Sequence, residues 1–138
     1  GCFSKRTILM LFHGNFVEKL DYLSTPGYLD GYESRYEAGL PQDTGPGVVI
    51  TTKGVFRFDK VTKELYLESY YPKVTIEEIK KDIPWDLKVS PDVTQAPIPS
   101  EEEMEFMTNF APDIILGRAF ARQVYVANIM EFVTAKQK

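Results

Sequence analysis

Residues 7–12 read TILMLF, an almost unbroken apolar run held between Lys5-Arg6 and His13-Gly14. A strand with one wet face alternates apolar and polar residues, whereas a strand covered on both faces of a sheet reads as a continuous apolar run. The run therefore predicts a central strand of an α/β sheet, flanked by neighbours and covered above and below. Such a strand so close to residue 1 has nothing ahead of it to supply those neighbours, which is how a sequence reads when it starts in the middle of a fold.

The rest of the 138 residues supplies further sheet. Residues 47–52, GVVITT, are β-branched and predict a second buried strand. VFRFD and LYLESYY, separated by an Asp-led turn at 59–64, predict a hairpin, and WDLKVS at 85–90 a further strand. Thr75-Ile76-Glu77-Glu78 has the form of a capping box and predicts a short helix over 76–82 that stops before Pro84. Ser100 with Glu103 repeats that form after a proline-rich connector, VTQAPIPS, and an apolar stripe predicts a long helix from about Ile114 to Ala135. Residues 14–46 carry Gly, Pro, Asp and Tyr at short intervals, with at most a helical turn around Phe16 to Leu20. Five aromatics there (Phe16, Tyr22, Tyr28, Tyr32, Tyr36) predict a packed connection, with a subunit interface as one outlet for the tyrosines. Length and a 43% hydrophobic content are those of one domain spanning 1–138.

Charge removes one class of function. A net charge of −4 with scattered cations does not provide the Lys/Arg clusters that hold phosphate backbones, so nucleic acid is not an expected partner. No apolar run approaches the roughly 20 residues a membrane-spanning helix needs, so no membrane partner is expected either. One cysteine, Cys2, suits a reducing compartment, and the cytoplasm is the expected location.

Candidate chemistry is sparse. His13 is the only histidine, and a Cys2–His13 dyad has nothing around it to activate a thiol. GxSxG, GxGxxG and GxxxxGK[ST] patterns do not occur. Glu101, Glu102 and Glu103 read as acids complementing a helix dipole, with no His or Asp at ligand spacing to make a metal site. On these residues alone there is no self-sufficient active site, no catalytic residue and no metal.

A family resemblance does emerge from the order of segments. A strand ending in His13, then FVEKLDYLSTPGYLDG, then GPGVVITTKGVFRFD, then LYLESYYPKVTIEEIKKDIPWDLKVS, resembles the C-terminal half of the β subunit of family I CoA-transferases, the glutaconate and 3-oxoacid groups above all. Lys73 and Pro84 stand where that family has glycine. The resemblance implies an α/β fold with a mixed, largely parallel sheet and flanking helices, belonging to an incomplete subunit. It implies coenzyme A as substrate and no tightly bound cofactor. Its partners would be an α subunit, in an oligomer, with acyl-CoA and carboxylic acid substrates. The family's catalytic glutamate lies upstream of the matched region in a Glu-(Asn/Ser)-Gly-like motif, and no glutamate here is followed by Asn-Gly or Ser-Gly.

The function so implied is part of an enzyme that moves CoA between an acyl-CoA and a carboxylic acid through a glutamyl-CoA intermediate. Two alternatives stand beside it: a ring-opening hydrolase of CoA thioesters with the same fold, and a non-catalytic module that binds a partner chain. Ligands of open α/β sheets gather at the carboxyl ends of strands. His13 and Thr52 are expected there, and Thr25 and Gly27 in the loop after the first strand, as four residues lining a CoA cleft. For His13 the competing reading is a strand-end histidine bonded to backbone.

Overall fold

A computed structural model of the chain describes residues 2–14 and 16–114, with side chains through Met107. Two compact units divide it, Gly1–Pro97 and Ile98–Lys138. The first carries a five-stranded sheet in sequential order: β1 (Thr7–Met10), β2 (Pro46–Ile50), β3 (Gly54–Phe58), β4 (Leu65–Tyr70) and β5 (Lys88–Gln95). β1 is parallel to β2 and β4 to β5, while β3 is antiparallel to both its neighbours. Among the described residues four strands share a direction and β3 opposes them, which is the mixed, largely parallel α/β sheet expected from the sequence. A single turn, α1 (Ser34–Glu37), lies in the long connection, and α2 (Ile76–Lys81) links β4 to β5.

Register places the core. Val49 pairs with Phe56, Phe56 with Leu67, and Leu67 with Val89, a row on one face. Ile79 of α2 and Ile83 and Leu87 behind it cover that row. Phe56, Leu67, Ile79 and Leu87 are fully buried, each contributing about 1.5–3 kcal/mol of apolar transfer. The other face turns polar across β3 and β4, where Arg57 Nε donates to both Glu68 carboxylate oxygens at 3.0 Å.

Local chemistry accounts for the turns. Thr75 Oγ1 accepts the Glu78 N–H at 3.2 Å and Glu78 Oε2 accepts the Thr75 N–H at 2.8 Å, so the expected capping box starts α2. In the β3–β4 hairpin, Asp59 Oδ1 takes the N–H groups of Val61 and Thr62 at 2.8 and 2.7 Å. Lys73 has φ 67, the left-handed conformation, which is the physical reason a glycine suits this turn in the family it resembles.

Three expectations are corrected. β1 was to be buried on both faces; it is an edge strand with Ile8 63% and Met10 55% exposed, because no strand among the described residues pairs with its second edge. No helical turn forms at 16–20, because Phe16 serves as an anchor against His13, Phe56 and Trp85; the turn forms instead at Ser34–Glu37. β5 begins at Lys88 and runs into the proline-rich segment. It tolerates Pro91 because pairing jumps from Leu67–Val89 to Ser69–Thr94, leaving the residues between in a bulge where a missing N–H costs no ladder bond.

The connection over 14–46 is packed only in part: of its five aromatics Phe16 and Tyr28 are packed and the other three are exposed. Tyr28 donates to Pro46 O at 2.7 Å and meets Phe58 edge-on, while Tyr22, Tyr32 and Tyr36 stay exposed. Tyr32 N–H donates to Thr62 O at 3.3 Å, tying the connection to the hairpin. In the second unit, α3 (Glu101–Ile114) opens with the expected Ser100–Glu103 box: the Ser100 N–H reaches Glu103 Oε2 at 2.8 Å and the Glu103 N–H reaches Ser100 Oγ at 3.2 Å. The helix expected over Ile114 to Ala135 lies, past its first residue, outside the described residues.

Gly31 is the tightest point of the connection. Its φ is 84, and a Cβ there would stand 2.5 Å from Thr62 O. Gly31→Ala is expected to destabilise the fold by roughly 2–4 kcal/mol, through a forbidden conformation and a clash with backbone. Thr75→Ala should cost only about 1 kcal/mol, the loss of one cap. Urea unfolding of the two variants checks both the magnitudes and their order.

Candidate functional site

β1 and β2 run side by side and end side by side, so the residues after them share one rim of the sheet. His13 follows β1; Thr51, Thr52 and Lys53 follow β2. The His13 N–H donates to Thr52 Oγ1 at 3.3 Å, which closes the rim. The His13 ring is wholly buried, its side chain 0% exposed, stacked on Phe56 with Phe16 edge-on at 5.4 Å.

Hydrogen bonding assigns the state of the ring. Nε2 lies 3.2 Å from Ile79 O, and a carbonyl can only accept, so Nε2 carries the proton. Nδ1 of the neutral ring is then an acceptor, and the Thr51 hydroxyl 3.2 Å away donates to it. Thr51 is itself buried, and its oxygen accepts the N–H groups of Lys53 and Gly54, both at 3.1 Å. Gly54 O, also 3.2 Å away, is a second acceptor for the Thr51 hydroxyl proton, so Thr51 has its lone pairs and proton engaged, and both nitrogens of His13 have partners.

Charges lie close by. Lys53 Nζ donates to Asp82 Oδ2 at 2.5 Å, and the same oxygen stands 3.8 Å from His13 Nε2. The His13 pKa is lowered, chiefly by burial; the Ile79 carbonyl opposes that, Lys53 adds to it, and Asp82 opposes it more weakly. Asp82 is held below the ordinary carboxylate value first by its hydrogen bond from Lys53. A buried neutral imidazole with both nitrogens committed has no free lone pair to take a proton from a substrate. His13 acts as a tie between β1, the β2–β3 turn and α2.

The four sequence-predicted residues fall into two pairs. His13 and Thr52 meet at the carboxyl end of β1 and β2. Gly27 lies beside Pro46, the first residue of β2, so the Thr25-Pro26-Gly27 segment has come back to the amino end of the sheet. A five-residue strand separates the two places by roughly 17 Å. Thr25 is exposed, Thr52 is exposed, and Gly27 is half-buried. Only the His13–Thr52 end lies where ligands of an open α/β sheet gather. Among the described residues no three His, Cys, Asp or Glu side chains group as metal ligands, and no helix is long and apolar enough to cross a membrane.

What holds Thr25-Pro26-Gly27 is a residue the sequence reading passed over. Arg35 is 5% exposed and carries its guanidinium into the connection. Nη1 donates to Pro26 O at 2.9 Å and Gly27 O at 2.8 Å, and Nη2 to Cys2 O at 2.6 Å. Nε and Nη2 share Thr44 Oγ1 at 3.2 and 3.0 Å, while the Thr44 hydroxyl gives its proton to Pro41 O. An arginine between Ser34 and Tyr36 carries no local signal of this role, because all its acceptors come from other segments.

Curated relatives and solved structures similar to the chain include the following. The β subunit of glutaconate CoA-transferase of Acidaminococcus fermentans is 42% identical over 97 residues, 68% of this chain and 36% of that protein. The β subunit of 3-oxoadipate CoA-transferase of Pseudomonas knackmussii is 30% identical over 98 residues, 71% of this chain and 37% of that protein. The crystal structure of glutaconate coenzyme A-transferase from A. fermentans superposes with a TM-score of 0.72 and 34% identity, over 78% of this chain and 42% of that one. IpdAB of Rhodococcus jostii RHA1, at 18% identity, a TM-score of 0.62 and coverage of 80% and 45%, shares the fold. No protein-family model matches. The chain thus spans little more than a third of the length of these curated relatives.

His13 is the chain's only histidine, so its titration is readable directly. Because the folded pKa lies below the unfolded value of about 6.5, the unfolded chain takes up a proton first as pH falls. Stability is expected to be level above about pH 6.5 and to decline below it by at most about 1.4 kcal/mol per pH unit. Urea unfolding between pH 7.5 and 5 should show that slope in the parent and not in His13→Gln. Separately, Arg35→Lys and Arg35→Met should both lose on the order of 2–4 kcal/mol, since an ammonium cannot replace the fork and the carbonyls lose their donors.

Proposed function

We propose, from the premise that this chain is a homologue of CoA-transferase β subunits over about 70% of its length, that it forms part of a family I CoA-transferase. The observation that carries the reading is the coincidence of 42% identity with a 0.72 superposition on the same enzyme type. Substrates in this reading are an acyl-CoA and a carboxylic acid, the partner is an α subunit in an oligomer, and a reducing compartment such as the cytoplasm suits the free Cys2.

The reaction asks for a carboxylate that this segment does not provide. A glutamate attacks the thioester carbonyl and the C–S bond breaks, leaving a mixed anhydride and the CoA thiolate. The thiolate attacks the glutamyl carbonyl, the first acid leaves, and glutamyl-CoA remains for the acceptor acid to reverse the steps. Such intermediates hydrolyse unless the cleft is closed and its oxyanion donors are preorganised. The contribution of this segment is a rigid wall: the strand-end rim of His13, Thr51, Thr52 and Lys53, fixed to α2 before any substrate arrives.

The complete reading frame containing this sequence, purified with its α subunit, tests the proposal. Incubation with an acyl-CoA and an acceptor carboxylate should yield new acyl-CoA with total thioester conserved. Free CoA without new acyl-CoA would identify a hydrolase instead, and no turnover with any acid would leave a binding module.

A further inference from the structure

Both substrates of the proposed reaction are anions, one through its carboxylate and the other through the phosphates of CoA, so the rim that receives them needs a cation within reach. Lys53 stands there. It lies in the turn from β2 to β3, next to Thr52, whose hydroxyl accepts the His13 N–H. Its main chain is held on both sides: the N–H donates to Thr51 Oγ1 at 3.1 Å, and the carbonyl accepts the Tyr71 N–H at 3.0 Å. The other ion pairs of the sheet among the described residues lie elsewhere, Arg57–Glu68 on β3 and β4 and Lys88–Glu64 at the amino end of β5.

The Lys53 ammonium is held loosely. Its side chain is 32% exposed and that of its partner Asp82 35%, and Asp82 Oδ2 is the acceptor that takes its hydrogen bond. An ammonium carries three donors, so this bond leaves two of them for other acceptors. An ion pair so open to water is weak, and an arriving anion competes for the same cation at little cost. Asp82 also stands where an acid does not serve its helix. It ends α2, at the negative end of the dipole, which suits Lys80 and Lys81 and opposes a carboxylate. Without Lys53 it would still have water, the nearby Lys81 charge and His13 Nε2 at 3.8 Å.

We propose that Lys53 is a substrate-binding residue whose ammonium passes from Asp82 to an anionic oxygen of the substrate, either the carboxylate of the acid or a phosphate of the CoA moiety. The proposal rests on the transferase reading above, which supplies those anions. Asp82 stands in for the substrate: it holds the ammonium beside His13 until the anion arrives, so less side-chain freedom is left to lose on binding. The exchange leaves the wall intact, because the His13 bond to Ile79 O keeps α2 on the rim without help from Lys53.

Two variants of opposite effect test it, in the complete reading frame purified with its α subunit. Lys53→Met should raise the KM for one substrate roughly 10- to 100-fold, the worth of a hydrogen bond to a charged group, with kcat within about twofold of the parent. Lys53→Arg should restore that KM. Asp82→Asn, which frees the ammonium, should lower it by about two- to fivefold. A change confined to the acid assigns the carboxylate, and one confined to the acyl-CoA assigns the phosphate. Unchanged KM values for both substrates overturn the proposal, and so do shifts in the same direction for Lys53→Met and Asp82→Asn, which is what loss of a merely structural pair would give. A transferase indifferent to both variants keeps the reaction and loses this contact. If no acid is turned over, calorimetric titration with acetate and with CoA reads the same contact. One of the two should bind the parent at least tenfold more tightly than Lys53→Met, and equal binding, or none of either, overturns it.

Discussion

A neutral imidazole buried at the end of β1 holds the carboxyl rim of this sheet together. Its two nitrogens reach Ile79 O on α2 and the hydroxyl of Thr51 after β2, each at 3.2 Å. Those contacts join His13 to elements 38 and 66 residues away in sequence. Thr51 extends the tie by accepting the N–H groups of the β2–β3 turn, and Phe16 and Phe56 pack against the ring, with Trp85 edge-on to Phe16. Removing the imidazole would take both long-range bonds away and leave Ile79 O with the Asp82 N–H and the Thr51 hydroxyl with Gly54 O, contacts within the neighbouring turns that tie nothing to β1.

At the opposite end Arg35 plays the corresponding part with a full charge. It meets no carboxylate among its hydrogen-bond partners; three carbonyls and the Thr44 oxygen take its donors. A guanidinium can be buried on carbonyl dipoles because its charge is spread and its donors are fixed in a plane. The long connection, which has little regular structure, therefore owes its shape to one side chain and to Gly31, Tyr28 and Tyr32 on the hairpin. Two polar anchors, one per end, frame an apolar row of Val49, Phe56 and Leu67.

Much of this was legible in the residues. The Thr75 and Ser100 boxes, the Asp59 turn and the β2, β3 and β4 strands follow from signals carried within a few residues, and all appear where those signals lie. The order of segments also pointed to a CoA-transferase β subunit, and both the sequence and the fold comparisons agree with that kinship. Where local reading failed, a distant partner decided. Phe16 gave up a helical turn to pack on Phe56, β5 slid past Pro91 to follow β4, and Thr25 and Gly27 left the carboxyl end because Arg35 holds them at the other.

By itself, then, the sequence determined which segments are strands or capped helices and to which family of subunits they are similar, because period, caps and segment order are local or linear properties. Tertiary structure alone decided that His13 ties segments together, that the four expected cleft residues are two separate pairs, and that β1 is an edge strand among the described residues. Those facts depend on what stands across from each group in space. Burial, the direction of a hydrogen bond and the absence of a neighbouring strand leave no mark in the chain's own order.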